Sequence, residues 1–163
     1  MKNVKLYNMI FPIWMLVYLP SVWLISLPAN FLIDSIVFAA ALYILKIDDK
    51  KKVYKKNIIK IWLFGFLADF MGAAIMFLGS FAVFDKSMND VGAALEMNPY
   101  REPIAVLWTF LSILLSGICI YFFDRNFALK KSNLDDRQKR VISIIMAVIT
   151  APYFMLLPTT LFV

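Results

Sequence analysis

The sequence predicts an all-α, polytopic integral membrane protein with five transmembrane helices and short loops, forming one transmembrane domain over residues 1–163. Of the 163 residues, 62% are hydrophobic, and the mean hydropathy is +0.76. Too little polar surface remains to cover a water-soluble globule. The charged residues lie in short blocks, and the runs between these blocks can cross about 30 Å of hydrocarbon at about 1.5 Å per residue.

The first apolar tract, residues 9–45, is long enough for two crossings. It holds 37 residues with Asp34 as its only charged side chain, whereas one crossing needs about 20 residues. Pro28 has no backbone N–H and disfavours helical geometry at Leu27, and Asn30 is a good helix N-cap. We therefore expect the tract to break near Pro28, giving spans at 9–27 and 29–45.

Three further spans are expected at 61–84, 103–123 and 141–163. The lysine-rich segment 46–60 and two loops of mixed charge separate them. The last span contains Pro152 and Pro158, which free backbone carbonyls, so we expect an irregular helix there. Side chains that can satisfy the freed groups are Thr150, Tyr153, Thr159 and Thr160.

Loop charge predicts the orientation, because basic residues in short loops stay on the cytoplasmic side. Segment 46–60 holds seven lysines and 124–140 holds six basic residues, whereas 85–102 holds two basic and four acidic residues. Five crossings would place both basic segments and the N-terminus in the cytoplasm and the C-terminus outside. Four crossings would leave Lys2 and Lys5 outside.

The basic loops alone do not indicate a nucleic-acid partner. They could bind anionic lipid headgroups or nucleic acid, but a net charge of +6 concentrated beside membrane ends is what topology alone produces. We therefore expect the lipid bilayer, and no nucleic acid, as the surrounding partner. Thirteen of the 17 basic residues are lysine, which suggests an AT-rich genome and a bacterial cell membrane.

The predicted span 61–84 carries its small residues on one face. Gly65, Gly72 and Gly79 recur every seven residues, and Ala68 falls within the same arc of the helix. Such a stripe allows another helix backbone to approach closely in a bilayer. Asp69 borders the stripe, so its carboxyl group is expected to face protein.

The predicted span 103–123 offers a matching surface of small and hydroxyl-bearing side chains. These are Ala105, Thr109, Ser112, Ser116 and Cys119, and they share roughly a quarter of the helical wheel. Counted from the cytoplasmic ends, Ser112 and Ser116 lie within roughly two turns of the depth of Asp69. Their hydroxyl groups are therefore candidates to hydrogen-bond Asp69.

Asp34 is a second carboxylate within the predicted membrane, on a face shared with Asn30. Its position nearer the outer end of its span allows two interpretations: it reaches the headgroup layer, or it shares a pocket with Asp69. The predicted spans contain no Lys, Arg or His. Each acid must therefore be protonated, hydrogen-bonded, hydrated or paired with an external cation.

Enzymatic chemistry is not expected, nor is a cofactor or a resident metal. With no His and one Cys, the chain lacks the pairs used in nucleophilic catalysis and the usual zinc ligands. The motifs around the two acids, LIDS and LADF, differ from the YD and GxGD motifs of aspartyl intramembrane proteases. The remaining cytoplasmic acids could collect a divalent ion, but the basic residues among them favour a solvated surface: Asp48, Asp49, Asp124, Asp135 and Asp136.

Two functional hypotheses follow. In the first, the protein is a transport component in which Asp69 and Asp34 receive a proton or cation, and the site also includes Asn30, Thr109, Ser112 and Ser116. In the second, it is a non-catalytic assembly, accessory or immunity-type subunit that uses the Gly and Ser stripes as an interface. Five helices without an internal repeat are few for an independent carrier, so either hypothesis predicts a homo-oligomer or a partner membrane protein.

Overall fold

A computed structural model describes residues 12, 15, 18–83 and 89–162, excepting the side chains of 82, 83, 89, 160 and 162. The described residues form α-helices and contain no β-strand. The helices are α1 (Pro20–Ile44), α2 (Lys50–Leu78), α3 (Asn89–Met97), α4 (Pro103–Phe123) and α5 (Asp136–Ile149). Single π-helical turns, Gly79–Val83 and Asp124–Ala128, extend α2 and α4, and short 3₁₀ turns cover Pro99–Arg101, Tyr153–Leu156 and Thr159–Phe162.

Four helices of the described part are long and apolar enough to cross a membrane, which identifies the chain as a membrane protein. With their extensions they cover Pro20–Ile44, Lys50–Phe81, Pro103–Ala128 and Asp136–Leu156. The predicted count of five crossings is not confirmed. Most of the predicted span 9–27 that precedes Pro20 lies outside the described residues.

The four long helices form an antiparallel bundle. Helix α1 packs against α2 and α5, and α4 packs against the same two helices, with the largest interface between α2 and α4. Helix α3 lies in the connection from α2 to α4 and contacts both α4 and the Gly79–Val83 turn. This is the up-and-down arrangement that short connections favour in a four-helix bundle.

The predicted break at Pro28 is wrong, because α1 continues through this proline. Helix α1 instead begins at Pro20, at the first turn, where the missing N–H of proline has no helical acceptor to lose. Near Pro28, the Trp62 indole of α2 donates a hydrogen bond to the Leu27 carbonyl, with 3.1 Å between Nε1 and the oxygen. Pro28 removes the helical donor of the Leu24 carbonyl, four residues earlier, so the Trp62 contact holds α1 against α2 beside the proline rather than replacing the lost hydrogen bond.

The helices next to the basic segments begin earlier than the predicted spans. Helix α2 begins at Lys50 rather than residue 61, so only residues 45–49 connect it to α1. Helix α5 begins at Asp136 rather than residue 141, behind a capping box in which Asp135 and Gln138 bond each other's backbone N–H groups. We call the end of the bundle that carries residues 45–49 and 129–135 the basic end.

The C-terminal span is irregular, as its prolines predicted, and its α-helix ends at Ile149. Thr150 Oγ1 donates to the Met146 carbonyl over 2.9 Å, and Tyr153 donates its hydroxyl to the Val148 carbonyl over 2.6 Å. Thr159 Oγ1 donates to the Glu96 carbonyl over 2.9 Å. These side chains satisfy carbonyls near the end of the helix and join the last turns to α3.

Apolar side chains fill both ends of the bundle interior. Towards the basic end they include Phe38, Leu42, Ile61, Ile142 and Met146, and towards the opposite end Met76, Leu95, Ile113, Ala151 and Met155. Large apolar side chains also cover the outside of the helices, with Leu24, Ile36, Leu63 and Leu107 all more than half exposed. An apolar exterior of this kind suits contact with lipid.

Candidate functional site

The two acids singled out from the sequence lie side by side between α1 and α2. Asn30 Nδ2 donates to Asp69 Oδ2 over 3.0 Å. Asp34, one turn further along α1, faces Gly65, which lies one turn before Asp69, and a Cβ built on Gly65 would be 3.0 Å from Asp34 Oδ2. Asp34 also interacts electrostatically with Asp69, so the two carboxyl groups form one site.

Both carboxyl groups are shielded from the outside of the bundle. The exposed fraction is 2% for Asp34 and 4% for Asp69. The Asp34 side chain is therefore enclosed by the protein rather than turned outward from the bundle. The reason is its direction, since it points at the small residue Gly65 of α2 rather than along α1.

Several oxygens at this site have no hydrogen-bond partner among the described residues. They are Asp34 Oδ2, Asp69 Oδ1 and Asn30 Oδ1. The hydroxyl group of Thr150 lies within reach of Asp34, although its proton is donated to the Met146 carbonyl. Buried polar atoms are normally paired, so these three oxygens are available for a proton or a bound cation.

The hydroxyl groups of α4 contribute less than the sequence predicted. Thr109 Oγ1 donates to the Ala105 carbonyl over 2.8 Å, and Ser112 Oγ donates to the Trp108 carbonyl over 3.0 Å. Both protons are thus bound within α4. Only Ser116 comes close to Asp69.

Ser116 of α4 lies within hydrogen-bonding reach of Asp69. Its hydroxyl proton is donated to the Ala68 carbonyl of α2, with 3.0 Å between the two oxygens. The same hydroxyl oxygen retains lone pairs. A protonated Asp69 therefore has an acceptor within reach, and rotation of the Ser116 hydroxyl would offer a donor to an ionised Asp69.

The glycine stripe lies inside the bundle and contacts two helices. Gly65 faces Asp34 of α1, whereas a Cβ on Gly72 would be 3.1 Å from the Ser116 Cβ of α4. A Cβ on Gly79 would overlap the Trp108 indole. Ala68 is fully buried beside them. The small residues thus let α1 and α4 approach α2 closely enough to enclose both acids.

A third buried carboxyl group, that of Asp124, was not predicted. The sequence suggested a solvated surface for this residue, but it is 1% exposed, and neither of its side-chain oxygens has a hydrogen-bond partner among the described residues. It interacts electrostatically with Asp34. The signal was present in the sequence, because Phe127 and Ala128 continue the apolar pattern of α4 beyond Asp124.

No cation of the described chain neutralises these three acids. None of them forms an ion pair within the part of the chain that the structure describes, and Asn30 and the hydroxyl groups are their only side-chain hydrogen-bond neighbours. Arg125, next to Asp124, instead donates to the Tyr121 hydroxyl over 2.6 Å. Within the same described residues, no three His, Cys, Asp or Glu side chains are grouped closely enough to hold a metal ion.

No protein-family model, curated protein sequence or solved structure matches this chain. The functional inference therefore starts from the buried groups themselves. Carboxyl and amide oxygens accept protons or bind hard cations, and this is the chemistry that the site offers.

Proposed function

We propose that this protein is a transport or ion-handling component of a membrane, with Asp69 and Asp34 as the groups that receive a proton or a small cation. The observation that carries the proposal is the pair of adjacent, buried carboxyl groups with unpartnered oxygens between two apolar helices. An unpaired carboxylate in such surroundings is strongly unfavourable. Each acid therefore takes up a proton or a cation.

Within this proposal the neighbours of the acids have distinct roles. Asn30 positions the Asp69 carboxyl through its 3.0 Å hydrogen bond and adds one free oxygen to the site. Ser116 accepts from the protonated form of Asp69. Thr109 and Ser112 shape the wall of α4, because their hydroxyl protons are held by their own helix.

The alternative function, a non-catalytic assembly, accessory or immunity-type subunit, has less support. It relied on the Gly and Ser stripes as a surface for another protein. Gly65 and Gly72 instead face α1 and α4 of the same chain, so these stripes are already covered. Three buried acids without cationic partners among the described residues also exceed what helix assembly requires.

The distribution of basic residues supports the membrane orientation that we propose. We place the protein in a bacterial cell membrane, with the basic end in the cytoplasm and the C-terminus outside, because Lys and Arg are concentrated near the basic end. A homo-oligomer or a partner membrane protein would complete the translocation path, because a bundle this small is unlike the paired repeats of independent carriers.

Flux measurements in liposomes test the proposal. The purified full-length protein is reconstituted, and the fluxes of protons, alkali cations and organic cations are compared between the wild type and Asp69→Asn. Asp136→Asn is the matched control, because Asp136 is exposed at the start of α5. We expect one wild-type flux that is lost in Asp69→Asn and kept in Asp136→Asn. Equal flux in all three proteins would refute the proposed role of Asp69.

A further inference from the structure

Asp124 is a buried carboxyl group that lies closer to the basic end than the Asp34 and Asp69 pair. It lies in the π-helical turn Asp124–Ala128 that follows α4. Its carboxyl group is 1% exposed with both oxygens unpartnered among the described residues. The carboxyl group of Asp34 acts electrostatically on that of Asp124, so the charge of one acid influences the other.

Ser143 of α5 offers a second buried polar group near the level of Asp124. Its side chain is fully buried, and its Oγ has no hydrogen-bond partner in the described part of the chain. A Cβ on Gly117 would be 3.3 Å from the Ala147 carbonyl, which fixes the register of α4 against α5. Asp124 follows Gly117 by seven residues and Ser143 precedes Ala147 by four, so in an antiparallel pair their levels differ by about one turn.

Asn57 of α2 is a further buried polar group, closer to the basic end. Its side chain is fully buried, with Nδ2 donating to the Val53 carbonyl over 2.7 Å and Oδ1 left unpartnered among the described residues. Asn57 also lines a cavity of about 340 Å³, whose other lining residues include Lys52, Ser132, Asn133 and Gln138. This cavity lies between the two connections of the basic end.

The opposite end of the bundle differs. There the interior beyond Asp69 is filled by an apolar cluster that includes Met76, Ile113 and Met155. The hydroxyl groups of Thr109 and Ser112 at this end are already hydrogen-bonded. Ser26 Oγ is the one further buried oxygen towards this end without a partner among the described residues, whereas Asp124, Ser143 and Asn57 all lie on the side of the polar cavity.

We infer that Asp124 is an inner proton-binding group that links the Asp34 and Asp69 pair to the basic-end cavity, an inference that rests on the proposed function. A proton fits this position better than a metal ion, since no metal-binding group of three acidic, His or Cys side chains occurs among the described residues. The protonated acid carries a donor, and Ser143 Oγ is an unpartnered acceptor about one helical turn away in level.

The surroundings of Asp124 contain few other charged groups. Asp34 of α1 is the charged group that acts on it electrostatically. The buried polar groups that α2 and α5 contribute near this level, Asn57 and Ser143, do not titrate. Arg125, its chain neighbour, is bound to Tyr121. The proton on Asp124 therefore exchanges with Asp34 on one side and with the cavity on the other.

Carbodiimide labelling tests whether Asp124 carries a proton. A hydrophobic carbodiimide reacts with protonated carboxyl groups in apolar surroundings, and mass spectrometry of the full chain in liposomes locates the adducts. We expect labelling at Asp124 that falls as the pH rises and does not change with sodium, and none at the exposed Asp136. Absence of labelling at Asp124 from acid to alkaline pH, or protection by sodium, would overturn the inference.

Flux measurements distinguish a failure of this inference from a failure of the proposed function. We expect Asp124→Asn to slow proton flux by about a hundredfold or more, and Asp124→Glu to restore part of it. Normal flux in Asp124→Asn together with lost flux in Asp69→Asn would overturn the inference and leave the proposed function intact. Normal flux in both variants would refute the proposed function as well. Should Asp124→Asn fail to fold, the labelling of the wild type decides.

Access through the cavity is tested with a thiol reagent. In a Cys119→Ser background, a bulky reagent attached at Lys52→Cys should slow proton flux, because Lys52 lines the cavity. Lys51→Cys is the matched control, since Lys51 is the exposed neighbouring residue and does not line it. If the labelled Lys52→Cys and Lys51→Cys proteins had equal proton flux, protons would not enter through this cavity.

Discussion

Asn30 of α1 donates a hydrogen bond to Asp69 of α2, with 3.0 Å between Nδ2 and Oδ2. This contact places the candidate site at the interface of α1 and α2. The sequence suggested a site between the helices that carry Asp69 and Ser116, and Ser116 does lie near Asp69. The stronger partner is Asn30, which the sequence placed in the candidate site as a neighbour of Asp34 but not as the donor to Asp69.

Removing the Asn30 amide should destabilise the bundle. Asn30→Ala leaves a buried Asp69 oxygen without its donor, and we expect the free energy of unfolding to fall by about 1–3 kcal/mol. The measurement is unfolding in detergent. Asn126→Ala is the control, because Asn126 is exposed and bonds the Phe122 carbonyl of its own helix. Equal effects of the two substitutions would show that the Asn30 hydrogen bond adds nothing to stability.

Close approach of α2 and α4 should fail when Gly72 is enlarged. A Cβ at this position already lies 3.1 Å from the Ser116 Cβ and 3.4 Å from the Ser112 carbonyl, so the leucine of Gly72→Leu forces the helices apart. We expect a clear loss of thermal stability in detergent. Leu78→Ala should have a much smaller effect, since Leu78 is half exposed. Wild-type stability of Gly72→Leu would contradict the close contact.

The basic end should lie in the cytoplasm. Single cysteines at Lys52 and Asp90, introduced into a Cys119→Ser background, occupy exposed positions at opposite ends of the bundle. An impermeant thiol reagent added to intact cells should label Asp90→Cys and leave Lys52→Cys unlabelled. The reverse pattern would invert the orientation.

The number of crossings can be tested from the N-terminus. Five crossings place the N-terminus and the C-terminus on opposite sides, whereas four place them on the same side. We predict that Lys2→Cys, in the Cys119→Ser background, is protected from the impermeant reagent in intact cells and labelled after permeabilisation. Labelling of Lys2→Cys in intact cells would show four crossings.

Sequence patterns predicted helix type and some boundaries well. The start at Pro103 was correct because proline is favourable in a first turn, and the same rule explains the start of α1 at Pro20. Pro28 misled the prediction because local propensity does not include packing against another helix, such as the contact of Trp62 of α2 with α1 at Leu27. The irregular end of the last span followed directly from Pro152 and Pro158.

The buried acids were predictable only in part. Burial of Asp69 followed from its position beside the glycine stripe, which periodicity reveals. The approach of Asp34 to Gly65 depends on the rotation of α1 against α2, and a single sequence does not contain that angle. Asp124 was missed because Arg125 and the lysines that follow resemble a loop, although the helical turn and the apolar pattern extend to Ala128.

The central claim is that Asp69 acts through its ability to bind a proton or cation rather than through its shape. Asp69→Asn keeps the size and much of the hydrogen-bonding capacity of the acid but cannot ionise, whereas Asp69→Leu removes both, and Asp34→Asn tests the neighbouring group. The decisive measurement pairs thermal stability in detergent with proton and cation flux in liposomes for these variants. We predict that Asp69→Asn retains wild-type stability and loses flux, that Asp34→Asn loses less flux, and that Asp69→Leu loses both stability and flux. Full flux in a stable Asp69→Asn protein would contradict the claim and leave the carboxyl group as a structural hydrogen-bonding group.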